Sequence, residues 1–416
     1  MLKKLDKKNT ILNKFKNIRS RSLGLVENLS PEDMNIQSEY FVSPTKWHLA
    51  HTTWFFEQII LKKFKKNYKP FDKKYDFIFN SYYQSLGKQF NREKRGLLSR
   101  PDFEEVKRYR AYVDSHIEEL FLDNVNNFDQ VIFLMQTSIN HEEQHQELIL
   151  MDIQFNFFQN PLMPAYSNFT FNKKKLKIRQ SFTFKKISRS IAVIGAQKKE
   201  FSFDNENPSF KKKIGSFEVC NSVVTNLEWK EFIKKDIYKK PKYWLSDGFD
   251  FINKNKINKP LYWLDTNYQY TLNGIKKIED DFPVSNISYY EADAFARWRN
   301  MRLPSEYEME YLLQKFNSDG NFMESKIFEP ISNVKNSSFE NLWGNQWEWT
   351  NSFYLPYQGF KTWDGNLSEY NGKFMFNQMV LKGGSCFTPQ SHFRPSYRNF
   401  FYPTDRWVCN GFRLVK

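Results

Sequence analysis

The sequence predicts an α+β protein in two parts, an N-terminal four-helix bundle and a C-terminal mixed α/β domain. Apolar residues recur at helical spacing through the first 165 residues. Beyond residue 190, short apolar segments alternate with Gly, Pro, Asn and Asp, a pattern typical of short strands and long loops. A chain of 416 residues is also long for one compact domain. We therefore assign the bundle to residues 1–165, a linker to 166–190 and the second domain to 191–416.

The four predicted helices follow from start signals and apolar spacing. Ser30-Pro31 and Ser43-Pro44 each place proline at the first helical position after an N-cap serine. A third helix is predicted from Pro101 to Leu120, and a fourth from about Asn127 to Phe158. The connection between the second and third helices, from about Lys65 to Ser99, is long for a bundle. Loops of this length are usually either functional or disordered.

In the second domain, a strand is predicted at Ile191–Gly195 and two helices are predicted to begin at N-cap serines. Ser288 precedes Tyr289–Asn300, whose apolar residues recur at helical spacing. A shorter helix is predicted directly after Ser305.

Composition excludes several classes of protein. Hydrophobic residues make up 40% of the chain and aromatic residues 18%, which excludes a disordered chain. The formal charge is +15, but the lysines are spread along the chain without a recognisable nucleic-acid-binding module, so we expect no nucleic-acid partner. No apolar run is long enough to predict a membrane span, and no secretory signal is visible. The three cysteines, an odd and sparse number, favour a reducing cytoplasm.

The histidines of the helical half predict a metal site. His141 and His145 are four residues apart, so on a helix both imidazoles lie on one face and can reach one ion. His51 lies on the second predicted helix among apolar residues, and ligands in bundles project inward from facing helices. Three histidines leave coordination positions open for substrate. His48 is an alternative third ligand, and spacing alone does not choose between it and His51.

Three glutamates flank the histidine pair. Glu142, Glu143 and Glu147 either orient imidazole N–H groups or are ordinary exposed residues of the helix. The exposed interpretation is favoured for Glu142.

Nearly the whole chain carries motifs that resemble those of a known family and follow the same order. WHLAHTTWFFE and HEEQHQELILMDI look like the N-terminal DinB-like bundle of the sulfoxide synthases of ergothioneine biosynthesis. The second domain resembles the formylglycine-generating-enzyme or sulfatase-modifying-factor fold, which is related to C-type lectins. Its marks are the segments DFPV, ISYYEADAFARW, MRLPSEYE, GNQWEW, GGS, RNFF and GFRLV.

The same fold family includes copper oxidases that convert a protein cysteine to formylglycine. They need two cysteines about five residues apart near the GGS motif. This chain has Cys386 at the first position and Ser391 at the second, which disfavours that activity.

The resemblance implies iron(II) as the cofactor, bound by His51, His141 and His145, with His48 outside the site. It also implies that Gln144 contacts an imidazole-bearing substrate. Iron fits the chemistry because zinc cannot reduce O2.

The resemblance assigns further residues to the substrates. Asn399, Phe400 and Phe401 match the region that holds a trimethylammonium and a carboxylate group, and aromatic faces are natural partners of a quaternary ammonium. Tyr82 and Tyr83 match a tyrosine pair that lies near iron in one branch of the family, so one of them is the candidate proton donor.

Arg92 and Arg95 match positions that bind the carboxylate of the thiol substrate, a task that suits a guanidinium group. The branch usually carries Gly-Pro-Arg-His in this loop, whereas this chain has the segment 87–90, Gly-Lys-Gln-Phe. That departure leaves open the path of the loop and the choice between cysteine and γ-glutamylcysteine.

The implied reaction joins a cysteine-type thiol to C2 of hercynine (Nα-trimethylhistidine), with O2 as co-substrate and a sulfoxide as product. The active site is expected between the two domains, where ligand sites are common. Alternatives are a metal-dependent thiol S-transferase, an ovothiol-type histidine–cysteine sulfoxide synthase and a non-enzymatic binding module. The regiochemistry, the oligomeric state and the presence of calcium stay open.

Overall fold

The computed structural model describes residues 2–122, 127–167, 182–197, 201–316, 320–332 and 339–416. The chain divides into two compact units. The first comprises Met1–Pro161 together with Trp363–Tyr370, and the second comprises Leu162–Thr362 and Asn371–Lys416. Of the predicted linker 166–190, residues 168–181 lie outside the described residues.

The first unit is helical. Its helices are α1 Leu2–Gly24, α2 Thr45–Phe56, α3 Lys62–Phe64, α4 Tyr75–Ile78, α5 Phe103–Leu122 and α6 Phe128–Gln159. A π-helical turn, Glu57–Leu61, joins α2 to α3, so the second predicted helix is continuous from residue 45 to 64. Among the described residues, no helix combines the length and hydropathy that a membrane span requires.

The start signal at Ser30-Pro31 was wrong as a prediction of a long helix. Ser30 Oγ accepts a hydrogen bond from Asp33 N at 3.1 Å, and Asp33 Oδ2 accepts one from Ser30 N at 3.0 Å. These bonds close a single turn that leads only into the short 3-10 helix Asp33–Asn35. The first long helix is instead α1, which buries a stripe of apolar residues within its lysine-rich sequence. They are Ile11, Phe15 and Ile18.

Helix α2 is buried along its whole length and contacts both α5 and α6. A helix that is buried on every side is enclosed by its neighbours. This burial brings the polar side chains of α2, including His48 and His51, into the interior of the helical unit.

The second unit is a mixed α/β structure. Its strands are β1 Phe184–Ile187, β2 Ser190–Ile194, β3 Phe210–Ile214, β4 Phe217–Cys220, β5 Tyr268–Thr271, β6 Gly274–Lys277, β7 Trp347–Phe353, β8 Met379–Lys382, β9 Asn399–Phe401 and β10 Asn410–Gly411. Its helices are α7 Asn226–Lys234, α8 Ser246–Lys254, α9 Tyr289–Trp298 and α10 Glu306–Lys315. The described strands form one four-stranded sheet, β10-β7-β8-β9, in which β10 and β7 are parallel, and three antiparallel pairs.

Both N-cap predictions in the second unit are confirmed. Ser288 Oγ and Ser305 Oγ each accept a hydrogen bond from the backbone N–H three residues on, and the carboxylate of the glutamate at that position accepts one from the backbone N–H of the serine. Such reciprocal bonds satisfy donors that the first turn of a helix leaves unpaired. The predicted strand at Ile191–Gly195 corresponds to β2.

Candidate metal centre

Three imidazoles converge in the helical unit. His51 comes from α2, and His141 and His145 come from one face of α6. Ring centroids are 4.7 Å apart for His51 and His145, 5.0 Å for His51 and His141, and 4.6 Å for His141 and His145. One ligand atom from each residue lies within 4.8 Å of the other two. The three side chains can therefore hold one metal ion.

Orphaned nitrogen atoms in this cluster fit a metal. His51 Nδ1 lies 2.6 Å from the carbonyl oxygen of Phe79, so Nδ1 carries the proton and Nε2 keeps its lone pair. His51 Nε2 and His141 Nδ1 are buried and have no hydrogen-bond partner among the described residues. Burial lowers the pKa of all three imidazoles well below its usual value, which favours the neutral form that metals bind. The donor set therefore suits zinc, iron or a similar metal.

His48 lies behind His145 and outside the three-histidine group. Its Nδ1 is 2.8 Å from His145 Nδ1, and its Nε2 is 2.9 Å from Asp152 Oδ2. Both ring nitrogens of His48 are thus engaged with protein groups.

Glu142 is not the exposed residue that the sequence favoured. It is buried and accepts hydrogen bonds from Arg19 at 2.8 Å, Arg110 at 2.9 Å and Ser22 at 2.5 Å. Burial by itself raises the pKa of Glu142, but the two guanidinium groups outweigh it and hold that pKa below its usual value. Since α1 and α5 both send an arginine to this carboxylate, Glu142 fixes the register of α6 beside His141.

The tyrosine pair lies beside Phe55, which contacts His141. Tyr82 and Tyr83 stack with ring centroids 4.5 Å apart, and their hydroxyl oxygens are 3.3 Å apart. Phe55 links them to the centre, since its ring stacks on His141 at 4.0 Å and lies 5.9 Å from Tyr83. Burial raises the pKa of Tyr83 well above its usual value, so this phenol keeps its proton.

The amide of Gln144 has a partner that the sequence did not predict. Tyr370, in the segment Trp363–Tyr370, donates a hydrogen bond to Gln144 Oε1 at 2.6 Å, and its ring lies 5.9 Å from His141. Tyr82 donates to the backbone oxygen of Tyr370 at 3.3 Å. The sequence carries no signal for this contact, because residues 144 and 370 are far apart in the chain.

Arg95 is buried, whereas Arg92 is exposed. Arg95 donates to Ser43 Oγ at 3.0 Å, and its guanidinium carbon lies 3.4 Å from the centroid of the Trp47 ring. Trp47 in turn stacks on His51 at 4.6 Å with an interplanar angle of 8°. Burial lowers the pKa of Arg95 well below its usual range, and no carboxylate among the described residues forms an ion pair with it.

Asn399, Phe400 and Phe401 form strand β9 in the second unit. Phe400 stacks on Tyr354 with centroids 4.0 Å apart and an interplanar angle of 10°, and Phe401 meets Trp407 edge-on at 5.6 Å. Asn399 Oδ1 accepts a hydrogen bond from Phe400 N at 3.0 Å. The three residues are half-buried.

A pair of buried thiols was not expected from the sequence. Cys386 Sγ lies 3.7 Å from Cys409 Sγ, and the two thiols do not form a disulfide. The argument from sequence spacing considered only position 391 as a partner for Cys386. In the fold, the more distant Cys409 lies beside Cys386 instead.

The fold and the site define a protein with a candidate three-histidine metal centre in a helical bundle, followed by a mixed α/β domain. The family model for the sulfatase-modifying factor enzyme 1-like domain matches residues 182–326 and 312–416, more than half of the chain, so the chain belongs to this family. The model for the DinB superfamily matches residues 14–149. These matches confirm the predicted fold class and both halves of the resemblance.

Two similar proteins align over nearly the whole chain, and a third aligns over about half of it. The chain is 24% identical over 427 residues to a protein named hercynine oxygenase from Mycolicibacterium smegmatis, covering 95% of this chain and 96% of that protein. A hercynine oxygenase from Mycobacterium tuberculosis is 26% identical, with 95% and 96% covered. Ergothioneine biosynthesis protein 1 of Schizosaccharomyces pombe is 26% identical over 52% of this chain and 28% of its own length.

Proposed function

We propose that this chain is an iron(II)- and O2-dependent sulfoxide synthase that joins the thiol of cysteine or γ-glutamylcysteine to C2 of hercynine. The observation that carries the proposal is the three-imidazole centre with two orphaned ring nitrogens. Alignment over 95% of the chain with proteins named hercynine oxygenase supports the choice of substrate.

The overall reaction balances without a further reductant. The C2–H bond of the imidazole and the S–H bond of the thiol are replaced by one C2–S bond. One oxygen atom of O2 becomes the sulfoxide oxygen, and the other leaves as water with the two hydrogens. O2 accepts four electrons, two from C–S bond formation and two from oxidation of sulfur.

His51, His141 and His145 would hold the iron. When bound, iron(II) supplies one-electron reduction of O2, which zinc does not. Three protein ligands leave open positions where both substrates can be held side by side, and such proximity greatly favours reaction between them. Tyr83, whose phenol stays protonated, or its stacked neighbour Tyr82 is proposed to give a proton to reduced oxygen.

For the hercynine substrate, Gln144 is the proposed partner of the imidazole. The hydrogen bond from Tyr370 identifies Oε1 as the acceptor and so fixes the orientation of the Gln144 amide. Contacts of Asn399, Phe400 and Phe401 with the trimethylammonium and carboxylate groups are proposed from the family resemblance. The aromatic faces suit a quaternary ammonium, which has no N–H to donate.

For the thiol substrate, Arg95 is the proposed carboxylate partner. A buried guanidinium without a counter-charge is costly, and a substrate carboxylate would supply that charge and a paired hydrogen bond. Arg92 is exposed, and one of its N–H groups already donates to the backbone oxygen of Phe41. We therefore assign Arg95 the larger share of the binding.

The test is to load the protein with iron(II) without oxygen, then add O2 with hercynine and either cysteine or γ-glutamylcysteine. We expect mass spectrometry to detect a sulfoxide that contains one 18O atom when 18O2 is used. Zinc-loaded protein is the control and should consume no O2. Replacing hercynine by histidine tests the ovothiol-type alternative, and product formation without O2 consumption would contradict the proposal and favour a thiol S-transferase.

A further inference from the structure

Two further side chains, His48 and Asp152, lie behind His145. His48 Nδ1 lies 2.8 Å from His145 Nδ1, and His48 Nε2 lies 2.9 Å from Asp152 Oδ2. The same Asp152 oxygen accepts a hydrogen bond from the backbone N–H of Ser43 at 2.8 Å. His145 and Asp152 are seven residues apart on α6, so they lie on one face two turns apart, and His48 from α2 bridges them.

The positions of the protons follow from the chain of contacts. An ionised carboxylate only accepts hydrogen bonds, so His48 Nε2 carries the proton that it donates to Asp152. In a neutral imidazole the other nitrogen then has no proton, so His48 Nδ1 is an acceptor. With His48 neutral, His145 Nδ1 is the donor in the contact at 2.8 Å, which leaves the lone pair of His145 on Nε2.

We propose that Asp152 and His48 are positioning residues that fix the tautomer and the ring orientation of His145 so that Nε2 faces the metal. The inference rests on the proposed metal centre. In this arrangement His48 does not bind the metal itself but accepts a hydrogen bond from the ligand His145. His51 reaches the same result by a simpler route, since the carbonyl oxygen of Phe79 accepts from its Nδ1 at 2.6 Å. Outer partners of this kind typically change metal affinity by about 10–100-fold when they are removed.

The experiment measures the iron(II) dissociation constant of the full-length protein without oxygen, by competition with a chelator, so that no turnover is needed. His48→Phe keeps a planar aromatic ring, although a larger one, but offers His145 no acceptor, and we expect about 10–100-fold weaker binding. His48→Gln keeps an amide oxygen for His145 and an N–H group for Asp152, so its dissociation constant should stay close to that of the wild type. A packing role predicts the reverse order, because phenylalanine resembles the imidazole ring more closely in shape.

Asp152→Asn provides a second variant if His48→Phe does not fold. It keeps an oxygen for His48 but removes the negative charge, and we expect about 10-fold weaker binding, at the low end of the range for outer partners. His116→Phe, on α5 and outside the centre, is the matched control and should not change the dissociation constant.

Two results would contradict the positioning role of Asp152 and His48 while leaving the proposed metal centre intact. One is wild-type affinity in both His48→Phe and Asp152→Asn, and the other is equal loss in His48→Gln and His48→Phe. If the wild-type protein binds no iron(II), that result would instead contradict the proposed metal centre, and with it the positioning role of Asp152 and His48.

Discussion

The two units treat buried charge differently. In the second unit, five buried carboxylates each form an ion pair with a lysine or arginine. They are Glu206 with Arg394, Glu291 with Arg406, Glu306 with Arg398, Glu310 with Lys382 and Glu348 with Arg413. In the helical unit, Arg95 is buried with no ion pair among the described residues, and two imidazole nitrogens have no partner.

For a buried charged side chain, the presence or absence of an ion pair says more about its role than burial does. Glu142 is as deeply buried as the centre, but two arginines and a serine satisfy it, so it belongs to the scaffold. An unsatisfied buried polar group costs free energy, so a cluster of such groups favours a bound ligand that satisfies them. His51 and His141 carry such nitrogen atoms, and Arg95 is a buried cation without an ion pair among the described residues, which supports binding of both a metal and an anion in the helical unit.

Removal of a histidine ligand should have the largest effect. We expect His145→Ala to lose iron and activity while the protein stays folded. The loss of iron affinity should exceed the roughly 100-fold that outer partners contribute, because a ligand atom itself is removed. Iron content by elemental analysis and circular dichroism check the two parts, with His116→Ala as control. Normal iron content in His145→Ala would contradict the ligand assignment.

Removal of a buried ion pair in the scaffold should lower stability and leave iron binding unchanged. Lys382→Met leaves Glu310 buried without its cation, both side chains being 0% exposed, and we expect a loss of about 3–5 kcal/mol in the free energy of unfolding. Iron binding should be unchanged under conditions where the protein remains folded. Denaturant unfolding measures the loss. Lys239→Met, which removes an exposed pair with Asp236, is the control and should give no measurable change.

The tyrosine pair should affect the chemistry without affecting iron. If one phenol donates the proton, Tyr82→Phe with Tyr83→Phe should lower sulfoxide formation by about 100-fold or more, the usual range for general acids. Oxygen should then be diverted toward simple oxidation of the thiol, which product ratios by mass spectrometry will show. The single variants identify the donor, and Tyr112→Phe serves as control. An unchanged product ratio in the double variant excludes a proton-donor role.

Local patterns predicted the elements, whereas contacts between distant segments had to come from the fold. The spacing of His141 and His145, together with His51 among apolar residues on α2, predicted a three-histidine centre. Spacing could not choose between His48 and His51, because both are buried on α2 and both contact His145. Their roles depend on the second partner on α6, Asp152 for His48 and His141 for His51.

Other features had no local signal. Glu142 looked like an exposed helix residue because its two arginines come from other helices, α1 and α5. Tyr370 was missed because a turn-rich segment late in the chain packs with the helical unit. A serine, a proline and an acid at residues 30–33 predicted a helix, but no apolar face followed to extend the first turn.

Substitution of Arg95 should give the smallest effect. It tests directly whether the helical unit holds a buried charge for a substrate. If its charge is held for a substrate carboxylate, Arg95→Met should raise the KM for the thiol by about 10–100-fold, the equivalent of roughly 1.5–3 kcal/mol for a charged hydrogen bond, with a smaller change in kcat. The free energy of unfolding should not fall, because the variant removes a buried cation that has no protein counter-charge. Arg92→Met, at the exposed neighbour, should raise KM less. If Arg95→Met instead destabilises the protein as Lys382→Met does and leaves KM unchanged, Arg95 is part of the scaffold, and the helical unit holds its buried charge no differently from the second.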